Sequence, residues 1–457
     1  MSPEYPATTA RETGPVNEFT GRLVRAPWGY RQSMLLGNPA LYFDDLARTF
    51  GDFVHVRGLQ SFYFVNHPAL VKPVLTGTHR TWDKRTPIYR RFGNAFGDGL
   101  VVSEGERWKR QRKMMQPTFK PAAVQSFFDL MTEEATRMVQ RWDHERPFDI
   151  SVDMQQVTLA IAGRALFSNG FEDVGPDIER WTRVINRYSA KPPIPIVTDP
   201  WFPSPTNRGL KRALDEFRTF VLGLIAERRR GAPRDDLLGI LLSARDEDTG
   251  APMSDTDLVE ESLGLIIGGY ETSSAALTWL WYELHHNPDV AERLITEIDD
   301  VTRGEPLTVE LSAQLPYLRM VLEETMRLHP PFWFENRNAM EEVTLGGVQL
   351  ERGTMVAFSR YSLHRHPEFW QEPGAFRPER FLKGSMENER ASFAHIPFGG
   401  GPRICIGINF AMLQLIAIAA TVLQRYRVSI DASDRHLMWA HLTMNPKHGL
   451  RVRTTPR

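Results

Sequence analysis

The only cysteine of the 457-residue chain, Cys405, lies in Phe398-Gly-Gly-Gly-Pro-Arg-Ile-Cys-Ile-Gly407, just ahead of an apolar stretch that begins near Asn409. A cysteine at a helix N-terminus meets the positive end of the dipole and free backbone N–H groups, and both favour thiolate. A thiolate is a soft ligand for iron or a nucleophile. Three other pairs have useful spacing. Glu271 and Thr272 set a carboxyl beside a hydroxyl, directly after Gly268-Gly269-Tyr270. Glu324 and Arg327, three apart, fall on one face of a helix, as do Trp108 and Arg112, four apart. Phosphate-loop, GxSxG and His-Glu-x-x-His motifs are absent, and no GxGxxG opens a helix. His364-Arg-His366 resembles a metal pair only superficially and reads as an exposed strand or loop.

The segment around Cys405 resembles the haem-binding signature of the cytochrome P-450 family, Phe-x-x-Gly-x-Arg-x-Cys-x-Gly, at every fixed position. The resemblance implies that Cys405 is the axial ligand of a haem b iron. Gly401 would permit the tight turn, and Gly407 would let the helix backbone approach the porphyrin. Arg403 would pair with a propionate, and Phe398 would shield the thiolate from water. Trp108 and Arg112 look like the family's Trp-x-x-x-Arg pair at a propionate, and Arg337, just before a strand, looks like a third propionate arginine. Glu324 and Arg327 resemble the family's Glu-x-x-Arg helix, whose buried triad Arg380 of Arg377-Pro-Glu-Arg-Phe381 would complete. In Gly268-Gly269-Tyr270-Glu271-Thr272 the glycines would let the helix kink and make room for dioxygen, Thr272 would hydrogen-bond it, and Glu271 would relay protons. The departures are slight: Glu stands for the commoner Asp, and Tyr270 is bulky.

Between turn clusters the pattern is mostly helical. Apolar spacing predicts helices over 121–141 and 207–230. The longest opens at Ser254, with Asp257 three residues on, and closes at Asn287-Pro288, roughly 48 Å at 1.5 Å per residue. Short strands are expected at 53–56, 62–65, 343–345, 348–350 and 355–358. Six prolines from 191 to 205 mark a loop, and 373–398 is a second irregular stretch. The expected fold is therefore mainly α with small β-sheets, the cytochrome P-450 fold. Its haem would lie between the long central helix and the helix after the cysteine loop. Residues 1–24 are expected to be a flexible segment and 25–457 one haem domain, with no fused reductase.

Composition narrows the functions further. Lys and Arg number 55 against 56 Asp and Glu, a net charge of −1, which lacks the electrostatic footprint of a nucleic-acid binder. A single cysteine excludes an internal disulfide, a Cys-rich zinc site and a four-Cys iron–sulfur cluster. The polar N-terminus carries no targeting pattern, and no 18-residue apolar run occurs, so a cytoplasmic protein without a membrane anchor is expected. The resemblance implies a monooxygenase of bacterial specialised metabolism, fed by a separate ferredoxin and ferredoxin reductase, inserting one atom of O2 into a small substrate. The aromatics of Pro331-Phe332-Trp333-Phe334, with Gly268, Gly269 and Met444, would line its pocket, so the substrate is apolar: a terpenoid, polyketide or fatty-acid-like skeleton. The basic run Lys109, Arg110 and Lys113 would be a solvated face or a docking site for an acidic donor. A peroxide-using haem enzyme and a non-catalytic haem binder are the competing readings; neither needs the Glu271–Thr272 pair.

Overall fold

Six helices position the site: α1 (Gly105–Met115), α2 (Ile150–Phe167), α3 (Phe171–Ser189), α4 (Asp255–His286), α5 (Pro316–Leu328) and α6 (Ile408–Leu423). They are seen in a computed structural model that describes residues 19–31, 34, 37–58, 60–77, 80–168, 171–189, 202–231, 234–385, 392–434, 437–440 and 442–457. The expected flexible segment therefore lies mostly outside the described residues. So do 191–201 of the proline-rich stretch and 386–391 of the stretch before the cysteine.

Helix α4 begins where Ser254 Oγ accepts from the Asp257 N–H at 3.1 Å and the Asp257 carboxylate accepts from the Ser254 N–H at 3.3 Å. Two free donors at the helix start are satisfied at once. The helix ends at the Asn287-Pro288 boundary, where proline opens the next helix. Helix α6 has no charged residue and is buried almost all round, so it can only be interior. Helix α4 packs directly on both α2 and α6. A Cβ on Gly269 would sit in ordinary contact, 3.5 Å from the Cβ of Ala162 on α2, so this position faces α2. Thr158 of α2 donates to the Tyr270 carbonyl at 3.1 Å, and its own carbonyl accepts from Gln414 Nε2 of α6 at 3.4 Å. A thread of polar contacts thus fixes the register of the three helices inside an apolar core.

The main sheet has six strands in the order Val24–Arg25, Phe53–Val56, Phe62–Val65, Met355–Ser359, Phe334–Ala339, Trp82–Asp83. A two-stranded hairpin, Met438–Ala440 with Met444–Pro446, lies apart from it. Three sequence expectations need correction. Arg337 lies inside the strand Phe334–Ala339, opposite Val356, and not before a strand. That strand escapes a period-two reading because Glu335, Asn336 and Arg337 are all buried, polar on both faces. The helix expected over 121–141 is two, Pro121–Gln125 and Phe128–Val139, broken where Ser126 Oγ turns back to the Ala123 carbonyl at 2.8 Å. His364 and His366 are buried, not exposed: His364 Nε2 accepts from the Ile396 N–H at 2.9 Å, and His366 Nε2 pairs with Asp52 at 3.0 Å.

Candidate active site

Gly401 turns the chain ahead of Cys405 with φ at +65°, and a Cβ there would meet the Leu75 carbonyl oxygen at 2.4 Å. Only glycine fits both demands. The Cys405 N–H then donates to the Phe398 carbonyl at 2.9 Å, closing the loop, and Gly407 caps α6. Cys405 carries exposed surface although protein surrounds it. Burial raises the pKa of its thiol, while the Gly407 N–H and the guanidinium groups of Arg112 and Arg360 pull the other way. Phe398 packs on the main apolar core beside this loop.

Arg112 reaches from α1 to donate to the Ile404 carbonyl at 2.9 Å. Arg403 donates to the Ser103 carbonyl at 2.8 Å, pairs with Glu104 at 2.9 Å, and lies 4.1 Å over the Trp108 ring. Arg337 pairs with Glu335, which also pairs with Arg360, and donates to the Asn336 carbonyl at 2.7 Å. Four participants were not legible in the sequence: Lys84, Glu104, Glu335 and Arg360. The Glu335 carboxyl is held down at about 2 by the surrounding cations against the cost of burial. Lys84 is buried, its Nζ donates to the Val101 carbonyl at 2.9 Å, and it lies 4.9 Å over the Tyr89 ring. Burial, then Arg337 and Arg403, push the Lys84 pKa well below the ordinary lysine range.

The cluster thus gathers the cations Lys84, Arg337, Arg360 and Arg403 around the carboxylates of Glu104 and Glu335. Positive charge is in excess, and the buried Nε atoms of Arg337 and Arg403 have no hydrogen-bond partner among the described residues. Buried polar atoms left this way call for a ligand. A dianionic, flat group fits. Its two carboxylates would balance the excess, and a Cβ on either Gly268 or Gly407 would meet nothing within 4 Å, which leaves room against both backbones. A haem has this shape and charge, and Cys405 supplies the soft donor its iron needs.

Behind this cluster, Glu324 and Arg327 of α5 pair at 2.6 Å, and Arg380 reaches Glu324 at 3.2 Å, all three with no exposed side-chain surface. Arg327 also donates to the carbonyls of His364, Pro373 and Ala375 at 2.8–3.0 Å. The network staples α5 to the irregular chain before the cysteine loop and touches no reacting atom.

On α4, the Thr272 hydroxyl donates to the Gly268 carbonyl at 2.7 Å. Such back-bonding bends a helix locally. Glu271 is on a different hydrogen-bond system. It accepts from Asn186 Nδ2 of α3 at 2.9 Å and from Thr443 Oγ1 of the C-terminal hairpin at 2.8 Å. The two residues expected to act as a pair therefore do not touch through a hydrogen bond, and Asn186 and Thr443 are partners that no motif signalled.

The expected pocket lining is also revised. Gly268 is open, but Gly269 faces Ala162. Trp333 and Phe334 turn away to pack on Phe43, the latter stacked at 4.8 Å, in a satellite core that also buries Met444 completely. Phe332 alone of the three aromatics joins the main core, 5.2 Å beneath the Arg360 guanidinium. Only Phe334 belongs to the strand; Phe332 and Trp333 lie in the irregular chain ahead of it, so no strand periodicity governs where the three rings point. The basic run on α1 is largely paired: Lys109 with Glu106 at 2.6 Å, Lys113 with Glu247 at 2.9 Å, and Arg110 near Asp257 at 3.8 Å.

A family model described as Cytochrome P450 matches residues 27–450. The chain is 33% identical over 432 residues to cyclooctat-9-en-7-ol 5-monooxygenase of Streptomyces melanosporofaciens, covering 93% of this chain and 91% of that protein. It is 31% identical over 421 residues to pentalenene oxygenase of Streptomyces avermitilis, covering 91% and 93% respectively. Among solved structures, the heme domain of cytochrome P450DA superposes with a TM-score of 0.85 at 24% identity, over 96% of this chain and 99% of that one, a likeness of fold.

Proposed function

The chain belongs to the cytochrome P450 family and is a haem-thiolate monooxygenase, and from that premise we propose that it oxidises a terpenoid hydrocarbon skeleton, with Cys405 as the iron's axial ligand. When bound, the haem supplies the thiolate-ligated iron at which O2 is reduced and one oxygen atom is passed to a C–H or C=C bond. The rest is work for the chain's own side chains.

Arg112, Arg337, Arg403 and Trp108 would hold the propionates, with Lys84 as a further cation. An anion placed here would favour the charged form of Lys84, so haem binding and charge balance are coupled. Gly401 and Gly407 let the backbone pass close, and Phe398 keeps water from the sulfur. Glu324, Arg327 and Arg380 hold the loop in place. Thr272 can turn its hydroxyl from the Gly268 carbonyl toward the dioxygen site, and Glu271 can pass on protons that enter from bulk solvent. The substrate class rests on two relatives named for terpenoid oxidation and on a main core of aliphatic and aromatic side chains around α4. Electrons would come from a separate ferredoxin docking at Lys109 and Lys113. Their exposed ion pairs are worth little and are readily exchanged.

The observation that carries the reading is the surplus of buried cations beside a lone cysteine with the helix-cap N–H of Gly407 on its sulfur. The test is direct. Haem-loaded protein, NADPH, a surrogate ferredoxin and its reductase, and ¹⁸O2 should convert pentalenene or a similar cyclic terpene to a product carrying one ¹⁸O. Cys405→His should lose the red-shifted ferrous–CO Soret band. Oxygenation that proceeds only with added hydrogen peroxide would support a peroxygenase instead.

A further inference from the structure

Glu271 is tied to two elements besides its own helix. Asn186 Nδ2 of α3 reaches Oε2 at 2.9 Å, and Thr443 Oγ1 reaches Oε1 at 2.8 Å, 172 residues away in the chain. Neither donor is idle elsewhere. Asn186 Nδ2 also donates to the Tyr270 hydroxyl at 3.1 Å, and Thr443 Oγ1 accepts from Asn445 Nδ2 at 2.7 Å. Because Asn445 fills an acceptor site on the Thr443 oxygen, the hydroxyl proton is directed at Glu271. Each carboxyl oxygen therefore has one neutral donor from a different element. Both elements, α3 and the hairpin, meet α4 at the residue next to Thr272.

We propose that Asn186 and Thr443 are positioning residues that hold Glu271 off Thr272 and set its proton affinity. This rests on the monooxygenase reading, in which Glu271 handles protons. Two opposing influences act on the carboxyl. Burial raises its pKa, and the three neighbours Thr443, Tyr270 and Asn186 lower it, leaving it above the ordinary glutamate value. Tyr270, on the same helix, is the only titratable side chain among those neighbours; α3 and the hairpin contribute neutral groups. Two of the three donors, Asn186 and Thr443, come from other elements, so the carboxyl can be tuned by whatever displaces either one. A substrate pressing on α3 or on the hairpin would loosen a donor and raise the proton affinity of Glu271.

Two readouts test this on the haem-loaded, full-length protein. Infrared pH titration of the protonated-carboxyl C=O band, assigned by its loss in Glu271→Gln, gives the midpoint without turnover. Removing a donor to the charged form should raise that midpoint by about one pH unit in Thr443→Val and in Asn186→Leu. Thr443→Ser, which keeps the hydroxyl, should restore it. A midpoint unmoved in both Thr443→Val and Asn186→Leu overturns the proposal, as does a shift that Thr443→Ser fails to rescue. The second readout is NADPH consumption with a surrogate ferredoxin and reductase. Slowing in Glu271→Gln with wild-type behaviour across its pH profile in Thr443→Val overturns the positioning role but leaves the proton role standing. No slowing in Glu271→Gln takes down both. A pH profile of NADPH consumption displaced in Thr443→Val in the same direction as the infrared midpoint supports both.

Discussion

Arg112 of α1 and Ile404 of the cysteine loop are joined by a 2.9 Å hydrogen bond from guanidinium to carbonyl, across 292 residues of sequence. The residue after that carbonyl is Cys405. Arg112 therefore both fixes the loop backbone and lends charge to the sulfur, and burial lowers its own pKa as the cost. Losing a charge-assisted hydrogen bond at a buried site costs about 1.5–3 kcal/mol. Arg112→Leu should lower the unfolding free energy by that amount and reduce haem content measured as pyridine haemochrome. Arg112→Lys, lacking the fork, should recover little. Wild-type stability and full haem content in Arg112→Leu would contradict the assignment.

Lys84 offers a change of sign. Its ammonium is buried against Arg337 and Arg403, which disfavour its charge. Removing a repelled buried cation relieves the haem-free chain, so Lys84→Met should raise the thermal midpoint of apoprotein. The same change should weaken haem retention, about tenfold faster in transfer to excess apomyoglobin, if Lys84 meets a propionate. Equal effects of one sign in both forms would show a packing role only.

The sequence made the chemistry more legible than the packing. The cysteine loop, the Glu324–Arg327 pair and the capping box at Ser254 each depend on neighbours within a few residues, and local spacing reports them well. Lys84, Glu335, Asn186 and Thr443 act through partners that are distant in sequence or hidden in a strand polar on both faces. No local pattern marks them. Gly268-Gly269 shows both cases at once: two adjacent glycines invite one explanation, yet one faces open space and the other faces Ala162. A helix turns by about 100° per residue, so neighbours along it answer to different surroundings.

Glu261 predicts a pH dependence of stability. It is buried on α4, and both its oxygens accept the Leu100 N–H, at 3.0 and 3.1 Å. Burial, with Asp257 and Glu260 adding to it, pushes its carboxyl up from 4.5 to about 8. An acid whose folded value lies above its unfolded one favours the fold while protonated. Its contribution is complete below about 4.5 and is lost as pH rises toward about 8. Each pH unit of separation amounts to about 1.4 kcal/mol. Urea unfolding should therefore show stability falling between pH 5 and pH 8 by at least about 1 kcal/mol. Glu261→Gln, a neutral isostere that still accepts from Leu100, should flatten the slope. An identical slope in Glu261→Gln would place the titration elsewhere.

Thr272 decides how the distal side works. Its hydroxyl is spent on the Gly268 carbonyl at 2.7 Å, and Glu271 is bound to other partners, so nothing in the resting arrangement hands a proton from one to the other. For oxygen transfer the hydroxyl must rotate about χ1 and leave the carbonyl, an exchange of one hydrogen bond for another that costs little net free energy. Thr272→Ala removes the donor but leaves the Glu271 clamp intact. Substrate binding, read from the low-spin to high-spin change, should be within about twofold of wild type, since less than ~0.5 kcal/mol is at stake. Product per NADPH should fall severalfold, with the missing electrons recovered as hydrogen peroxide. Thr272→Ser should keep most of the coupling, although its hydroxyl has more rotamers to choose from. If Thr272→Ala turns over with full coupling, the proton donor is the substrate or an ordered water, and the back-bond to Gly268 then only satisfies the hydroxyl within its own helix.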